Sequence, residues 1–324
     1  MKPTPEKVED VRWNLMFRDL KSVISVPSED HPAARVWRRS DLVAVIAKVR
    51  DERLEQLKST FPSANAVIER MLQIGWLQKL PVQNGVGERT LPEIYLLDME
   101  ATEEDLPEFW ELLQGYQTTG VLCYFGALSF HELTTQVPAF FHIATLLSPT
   151  PRTSVIAANP GGDVGEKPGR IRDPLGTLIF RYQGRPCYAT RRDSSLVPGI
   201  QLREYGPRTQ LRITTLEQTM LDTLWHPLRC GGESVVFEAW ERGVGRWNPE
   251  RMAKHLSTIN RQDLDRRVGA IMTLIKCEIP SGTLKTLLEA RQTELRKVPS
   301  TEPLPLLPGL PGSTLLSGWG ILTP

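Results

Sequence analysis

The sequence lacks the features that mark several common classes of protein. Its four cysteines, Cys123, Cys187, Cys230 and Cys277, are far apart and form no C-x-x-C pair. This spacing argues against a zinc site or a disulfide framework and favours reduced thiols. No apolar run is long enough to cross a bilayer, and the charged start MKPTPEKVEDVRW contains no apolar signal-peptide segment. The sequence therefore predicts a cytoplasmic protein that has no membrane partner.

An excess of charge of either sign is also missing. The chain has 39 basic and 38 acidic residues, which gives a formal net charge of +1. This balance excludes a histone-like binder that holds nucleic acid by charge alone. It remains compatible with a domain that reads DNA sequence, because a local basic patch can lie on a neutral chain. Hydrophobic residues make up 40% of the 324 residues, which is sufficient for a core and argues against wholesale disorder.

Known catalytic motifs are absent. The five histidines form no H-x-x-x-H or H-E-x-x-H pair, and the chain has neither G-x-S-x-G nor a G-x-x-x-x-G-K-[ST] phosphate loop. The stretch GGDVGEKPG supplies Asp163, Glu166 and Lys167, the residue types of a metal-dependent nuclease. They lie in a glycine-rich segment rather than on a strand, so a solvated loop is the favoured interpretation. We predict no catalytic residue, no metal site and no cofactor.

The first hundred residues contain three helical patterns followed by a hairpin pattern. Apolar residues recur at helical spacing over 5–25 and in the segment that begins RRSDLVAVIAKV. A third helix is predicted over 63–74, with Ser63 as its N-cap and Gly75 as its left-handed stop. WLQKLPV and TLPEIYLL, joined by the turn-rich QNGVGER, predict a β-hairpin. This order is typical of a winged helix-turn-helix domain, which we place at residues 1–98.

The outer face of the third predicted helix carries the residue types that read bases. In a winged helix this element enters the major groove, where Asn can bond adenine, Arg can bond guanine and Glu can accept from cytosine. Basic residues of the preceding helix and the wing could contact phosphates. The predicted DNA-binding residues are Arg38, Arg39, Ser63, Asn65, Ala66, Glu69, Arg70, Gln73, Lys79 and Arg89. The competing interpretation is the solvated face of an ordinary three-helix unit.

Residues 99–298 are predicted to form a second domain. Thr102 is expected to cap a helix in ATEEDLPEFWELLQGYQ. Short β-like runs between 139 and 213, such as FFHIATLL, LGTLIFRY and LRIT, predict an antiparallel or mixed sheet. Further helices are predicted near 233–243, 249–257, 261–276 and 281–297.

The predicted fold class is therefore α+β. It consists of an N-terminal winged helix-turn-helix domain and a mixed α/β C-terminal domain with a small sheet and a C-terminal helical bundle. Residues 299–324 are rich in Pro, Gly and Leu and show no helical period. They predict an extended tail that docks on its own chain, docks on a partner or ends free.

The segment ITTLEQTMLDTLWHPLRCGG predicts a further helix in this second domain. Thr214 and Glu217 have the spacing of a capping box at its start. Asp222 then falls in the middle of the helix. Its carboxylate could contact a partner or bond a neighbouring backbone group, and the second interpretation is favoured because the helix otherwise has a packing pattern.

This segment resembles the second domain of the AbiEi-type antitoxins, the transcriptional regulators of type IV abortive-infection toxin–antitoxin systems. The positions that fit its motif are Thr215, Glu217, Thr219, Asp222, Pro227, Gly231 and Gly232. Upstream, GALSFHELTTQVP fits a second motif of the family at Ala127, Leu128, His131, Leu133 and Pro138. The chain departs from the family where Glu132 replaces a usual glycine, Leu216 a common proline and Gln218 a common lysine. The resemblance covers roughly residues 35–275.

The resemblance implies a repressor and antitoxin in phage defence. The N-terminal domain would bind inverted repeats upstream of its own operon, as a dimer in solution or as two monomers that meet on the DNA. The C-terminal domain would counteract a cognate nucleotidyltransferase-like toxin, which is a separate chain, in many cases without a stable complex. The family is not known as enzymatic. Two alternatives stay open: a stand-alone regulator whose second domain senses a ligand or partner and, less favoured, a nuclease on a winged-helix carrier.

Overall fold

The structure is a computed structural model that describes residues 5–57, 62–84, 92–98, 106–149, 174–279, 281–297 and 302–324. It divides into two units, each of which mixes helices and strands, so the α+β class is confirmed. The N-terminal unit comprises residues 1–119, 180–184 and 203–211. The C-terminal unit comprises residues 120–179, 185–202 and 212–324. The N-terminal unit thus extends past residue 98 and includes two segments from later in the chain.

The N-terminal unit combines helices with a short antiparallel sheet. Its elements are α1 (Pro5–Ile24), β1 (Val36–Arg38), α2 (Arg39–Leu57), α3 (Ala64–Gln73), β2 (Leu77–Lys79), β3 (Gln83–Asn84), β4 (Ile94–Leu97) and α4 (Phe109–Tyr116). The sheet has the order β1-β4-β2, and both pairings are antiparallel. The predicted hairpin is confirmed by the β2–β4 pair, whereas β1 and β3 are strands that the sequence pattern did not indicate. β3 pairs with residues 180 and 181 in the same unit.

The core of this unit lies between its helices and one face of the sheet. Each of α1, α2 and α3 contributes an apolar stripe at helical spacing, as expected for helices that pack together. The fully or nearly fully buried members are Met16, Leu20, Ile24, Leu42, Ile46, Val67, Ile68, Met71, Leu77, Tyr95 and Leu97.

Helix α4 begins later than predicted. Thr102 lies outside the described residues, and residues 106–108 are not helical. Leu106 precedes Pro107, and a residue before proline is disfavoured in the helical conformation. The helix therefore begins at Phe109, after the proline.

Helix α4 also ties the later segments into the N-terminal unit. The Glu111 carboxylate is buried and accepts hydrogen bonds from Arg35 Nη1 at 3.1 Å and Thr209 Oγ1 at 2.5 Å. The Tyr116 ring packs edge-on against Phe180, with 5.2 Å between ring centroids. These long-range contacts are invisible to local sequence patterns, which explains why the predicted domain was a continuous segment.

The C-terminal unit contains a mixed sheet and a group of helices. Its elements are β5 (Val121–Cys123), α5 (Tyr124–Phe130), β6 (Phe141–Leu147), β7 (Thr177–Tyr182), β8 (Arg185–Asp193), β9 (Ile200–Glu204), β10 (Gln210–Thr214), α6 (Leu216–Trp225), α7 (Glu233–Gly243), α8 (Pro249–Ile259), α9 (Gln262–Leu274) and α10 (Thr283–Lys297). Parts of β7, β9 and β10 belong to the N-terminal unit.

The sheet has the strand order β7-β8-β6-β5-β10-β9. Strand β6 runs parallel to β8, β5 runs antiparallel to β6, and β10 runs parallel to β5, so the mixed sheet is confirmed. Strands β5, β8 and β9 were not predicted. The helical segments α7 to α10 lie close to their predicted positions, and their buried residues form one cluster with those of α5 and α6.

The Pro/Gly/Leu-rich tail is folded and docks on its own chain. Strands β11 (Leu304–Pro305), β12 (Thr314–Leu316) and β13 (Ile321–Thr323) form a small sheet in the order β11-β13-β12. The Trp319 ring is only 3% exposed, and its Nε1 donates to Thr273 Oγ1 of α9 at 3.0 Å. Gly269 permits this approach, since a Cβ there would lie 2.2 Å from the ring. Arg266 and Arg267 of α9 donate to backbone carbonyls of the tail.

Among the helices that the structure describes, none combines the length and the apolar character that a membrane crossing requires.

Candidate nucleic-acid interface

Helix α3 has the boundaries and the exposed face that its sequence predicts. The Ser63 hydroxyl accepts a hydrogen bond from the backbone N–H of Ala66 at 3.2 Å and so caps the first turn. At the other end, Gly75 adopts φ +78°, and its N–H bonds the carbonyl of Leu72. A left-handed residue at this position is the usual glycine stop. The face opposite the core exposes Asn65, Ala66, Glu69, Arg70 and Gln73.

One carboxylate next to this face holds two of the predicted phosphate-binding cations. Glu93 Oε2 accepts from Arg39 Nη1 at 2.7 Å, and Glu93 Oε1 accepts from Lys79 Nζ at 2.9 Å. The same arginine donates from Nη2 to Asn65 Oδ1 at 3.1 Å. We call these residues the Glu93 cluster: Arg39, Asn65, Lys79 and Glu93. It joins the start of α2, the first turn of α3 and the hairpin.

The electrostatics of the Glu93 cluster keep all its ionisable members charged. Hydrogen bonds from Lys79 and Arg39 lower the pKa of Glu93. The hydrogen bond to Glu93 raises the pKa of Arg39 and of Lys79. Two cations share one carboxylate, so the cluster retains a single positive charge at neutral pH.

The other arginines among the predicted DNA-binding residues have partners outside the Glu93 cluster or lie outside the described residues. Arg38 is held by a fork of two hydrogen bonds to the Asp41 carboxylate, at 2.9 and 3.0 Å, and its guanidinium lies 5.5 Å from the centre of the Tyr116 ring. Arg70 donates weakly to Gln73 Oε1 at 3.3 Å on the exposed face. Arg89 lies outside the described residues. Arg38 and Arg39 are thus each paired with a carboxylate at similar side-chain exposures of 38% and 36%, whereas Lys79, at 59%, is the most exposed of the three cations.

The four motif residues in the C-terminal unit are all buried. Thr215, Glu217, Thr219 and Asp222 lie at the start of α6 or within it and are 0–8% exposed. Side chains at these positions can shape the unit, but they do not present polar atoms at its surface. These four residues are therefore packing residues of the C-terminal unit.

The start of α6 differs from the predicted capping box by one residue. Thr215, rather than Thr214, is the N-cap, and its hydroxyl accepts from the backbone N–H of Gln218 at 3.3 Å. The Glu217 carboxylate instead accepts a hydrogen bond from the backbone N–H of Asn248, directly before α8, at 2.9 Å. Two adjacent threonines fit the sequence pattern equally well, and only the tertiary contact of Glu217 distinguishes them.

Asp222 follows neither of its two predicted interpretations. Its carboxylate forms a bidentate ion pair with the guanidinium of Arg192 on β8, with hydrogen bonds of 2.6 and 2.7 Å. Both side chains are at most 2% exposed. Gln218 Nε2 donates to the same carboxylate at 2.9 Å. Burial disfavours the charged form of Arg192, but its neighbours, Asp222 first among them, together outweigh this penalty and raise its pKa. The pair links β8 to α6 and explains why an acidic residue lies in a packing helix.

Arg192 belongs to a larger buried group around Tyr124. Its guanidinium lies 5.1 Å from the centre of the Tyr124 ring, and that of Arg229 lies 5.5 Å from the same centre. The His142 ring packs edge-on against Tyr124, and burial lowers the pKa of His142 to about 3. Local sequence patterns do not indicate this group, because Tyr124, His142, Arg192 and Arg229 are far apart in the chain.

Groups that could carry metal chemistry are absent from the described part of the chain, where no three His, Cys, Asp or Glu side chains gather as a metal site would require. Asp163, Glu166 and Lys167 lie outside it.

Comparisons with known proteins identify a likeness of fold. The chain matches no protein-family model and no curated protein. Among solved structures it is similar to the RV2827C protein from Mycobacterium tuberculosis, with a TM-score of 0.50 and 13% sequence identity. The match covers 97% of this chain and 91% of that chain. At this identity the likeness concerns the fold, and it extends over both units.

Proposed function

We propose that this protein is a cytoplasmic, DNA-binding transcriptional autorepressor and the antitoxin of a type IV toxin–antitoxin system. The observation that carries the proposal is the arrangement of the N-terminal unit. The order α1-β1-α2-α3-β2-β4, which leaves aside the short β3, and the antiparallel sheet β1-β4-β2 are typical of a winged helix-turn-helix domain and support this proposal. In such a domain α3 is the recognition helix, and here its exposed face carries polar residues beside Arg39 and Lys79.

The partner of this surface is double-stranded operator DNA with inverted repeats. Asn65 and Arg70 have side chains that can pair with adenine and guanine edges in the major groove, and Glu69 can accept from cytosine. Arg39 and Lys79 lie together at Glu93, beside the first turn of α3, and can contact phosphates there. Inverted repeats need two recognition helices, so two copies of the chain would occupy one operator.

The antitoxin role rests on the resemblance of the C-terminal unit to the AbiEi-type antitoxins. Because the motif residues around Asp222 are buried, they would maintain the shape of this unit rather than touch another chain. The surface that acts against a nucleotidyltransferase-like toxin would therefore consist of other, exposed residues. If a nucleotidyltransferase is encoded next to the gene, co-expression of the two proteins tests this role, and rescue of growth is the expected result. A regulator without a toxin would repress its operon and give no rescue.

The direct test of DNA binding is a gel-shift titration with the DNA upstream of the gene. The control is scrambled DNA of equal length, and both are measured at two salt concentrations. Tight binding to the upstream fragment alone is expected. Equal, weak binding to both fragments that disappears with salt would mean that only charge is recognised, and would refute the operator hypothesis.

Two substitutions separate base reading from phosphate contact. Arg70→Ala should cost about 1–3 kcal/mol on the operator and relax the preference at one base position. Lys79→Ala should weaken binding to all sequences and reduce the slope of log K against log salt by about 0.9. Lys254→Ala, at an exposed position of α8 in the C-terminal unit, removes the same charge and should leave DNA binding unchanged.

A further inference from the structure

Glu93 uses both of its carboxylate oxygens on cations from different elements. Arg39 comes from the start of α2 and Lys79 from β2, and the two donor atoms lie 2.7 and 2.9 Å from Oε2 and Oε1. The side chains of Arg39, Lys79 and Glu93 are 36%, 59% and 33% exposed. The cluster is therefore at the surface and accessible to a ligand, rather than part of the core.

A carboxylate and a DNA phosphate make the same kind of contact with these cations. Both offer anionic oxygens that accept short, charge-assisted hydrogen bonds from Arg and Lys. Glu93 thus occupies the acceptor position that a backbone phosphate would take on Arg39 and Lys79. Exposed ion pairs of this kind are held only weakly, because water competes for both partners. Exchange of the carboxylate for a phosphate is therefore feasible.

The cluster is connected to the recognition helix. Arg39 donates from one terminal nitrogen to Glu93 and from the other to Asn65 Oδ1 in the first turn of α3. An anion that displaces Glu93 from Arg39 therefore acts on a guanidinium that also positions a predicted base-reading amide. The Arg39 side chain thus connects the predicted phosphate contact with the predicted base contact.

We propose that Glu93 is an internal substitute for DNA phosphate, which holds Arg39 and Lys79 and limits sequence-independent binding to the α3 surface. This inference rests on the proposed function and names a residue that regulates the same site. On random DNA, the phosphates must displace Glu93 without gaining base contacts. On the operator, contacts from α3 favour the complex despite this competition. The carboxylate thus increases the ratio of specific to non-specific affinity.

The test compares Glu93→Gln with Glu52→Gln. Both remove one acidic charge from the same unit, but Glu52 lies exposed on α2 and outside the cluster. The backbone N–H of Arg39 donates to the Glu93 carbonyl at 2.9 Å, and this bond does not depend on the side chain. Glu93→Gln should therefore fold, which circular dichroism and a thermal melt would verify.

Two measurements give the expected result. On scrambled DNA, Glu93→Gln should bind about three- to tenfold more tightly at low salt, with a salt slope steeper by about 1, because one or two cations become available to phosphates. On a heparin column, Glu93→Gln should elute at higher salt than Glu52→Gln. In a Lys79→Gln background the effect of Glu93→Gln should shrink, because one of its two partners is missing.

The outcomes separate this inference from the proposed function. If the wild-type protein prefers the upstream fragment but Glu93→Gln behaves like Glu52→Gln, or binds scrambled DNA more weakly, the inference is wrong and the operator proposal stands. If Glu93→Gln binds heparin more tightly but no variant prefers the upstream fragment, the anion site is real and the operator proposal fails. If no variant binds DNA or heparin, both are overturned.

Discussion

The two units each contain a prominent arginine–carboxylate contact, and the two contacts differ in their surroundings rather than in their chemistry. In the N-terminal unit, Arg39 meets Glu93 at 2.7 Å with both side chains about one-third exposed. In the C-terminal unit, Arg192 meets Asp222 at 2.6 Å with side-chain exposures of 2% and 0%. The two distances are similar, but water can replace either partner in the Arg39–Glu93 contact and cannot reach the Arg192–Asp222 contact.

This difference decides what each contact can do. An exposed ion pair contributes roughly 0–1 kcal/mol, so its members remain available to another ligand. A buried charge that loses its partner cannot recover its hydration, so the pair fixes the geometry around it. The contact that can exchange partners lies in the N-terminal unit, and the contact that fixes its surroundings belongs to the architecture of the C-terminal unit.

The largest expected effect comes from breaking the buried pair. Asp222→Ala leaves the Arg192 guanidinium buried without its carboxylate and should cost about 3–5 kcal/mol of unfolding free energy. Glu93→Gln, which breaks the exposed contact, should change stability by less than about 1 kcal/mol. Urea denaturation of both variants measures the contrast. Equal losses in the two variants would refute this interpretation of the pairs.

A second substitution tests how strongly the tail belongs to the buried part of the C-terminal unit. Trp319→Ala removes a ring packed on Gly269 and should destabilise the protein by about 3–5 kcal/mol. Leu315, on β12 of the same tail, is 51% exposed, and Leu315→Ala should have little effect. Thermal melts of the two variants provide the measurement. A small loss for Trp319→Ala would mean that the tail is a dispensable attachment.

The third prediction concerns pH. Burial lowers the pKa of His142 to about 3, from an ordinary value of 6.5, so the folded state binds fewer protons than the unfolded state between these values. The contribution of His142 to stability is fully present above pH 6.5. As the pH falls below 6.5, the free energy of unfolding should decrease by about 1.4 kcal/mol per pH unit. The exposed Glu93 has a lowered pKa as well, but its contribution is lost only below its ordinary value of 4.5.

Unfolding at several values between pH 5 and 7 isolates the histidine from the acidic groups. His142→Gln keeps a donor for the Leu175 carbonyl, which His142 Nε2 bonds at 2.8 Å, and cannot be protonated. This variant should make the pH dependence of stability shallower by the contribution of this one group, while His31 and His255, whose pKa burial also lowers, keep theirs. An unchanged slope would assign the effect to another group.

The smallest expected effect comes from substitutions at the left-handed residues that end two helices. Gly75 ends α3 with φ +78°, and Glu132 ends α5 with φ +56°. At α5, the N–H of Leu133 bonds the Leu128 carbonyl, and the N–H of Glu132 bonds that of Ser129, which is the pattern of a Schellman motif. Glu132→Gly should relieve the strained backbone and stabilise the protein by about 0.5–1 kcal/mol.

A thermal melt of Glu132→Gly checks this prediction, and Gly75→Ala serves as the converse. The first variant should melt higher and the second lower than the wild type. A lower melting temperature for Glu132→Gly would show that the Glu132 side chain contributes more than its backbone costs.

The sequence predicts those parts of the fold that depend on neighbours in the chain. The spacing of Val67, Ile68 and Met71, together with Ser63 and Gly75, is sufficient to place α3 at its correct boundaries. The same holds for the helices from α7 to α10. Strand β1, by contrast, is only three residues long and is defined by its pairing with β4, which no local pattern encodes.

The candidate site likewise has parts that local sequence patterns predict and parts that they do not. The exposed polar face of α3 is predictable, because helical periodicity assigns each residue to a side. The role of Glu93 and the pairing of Arg192 with Asp222 are not, because each joins residues that are distant in sequence. The shift of the α6 cap from Thr214 to Thr215 has the same cause, since Glu217 is drawn to the backbone of Asn248.

The docked tail has a consequence for the order in which the protein folds during synthesis. Helix α9, with the Gly269 position that the Trp319 ring covers, precedes the tail in the chain and is therefore synthesised first. Until the tail is synthesised, α9 lacks the aromatic ring that covers Gly269. A chain that stops short of residue 319 would therefore expose this part of α9 to solvent.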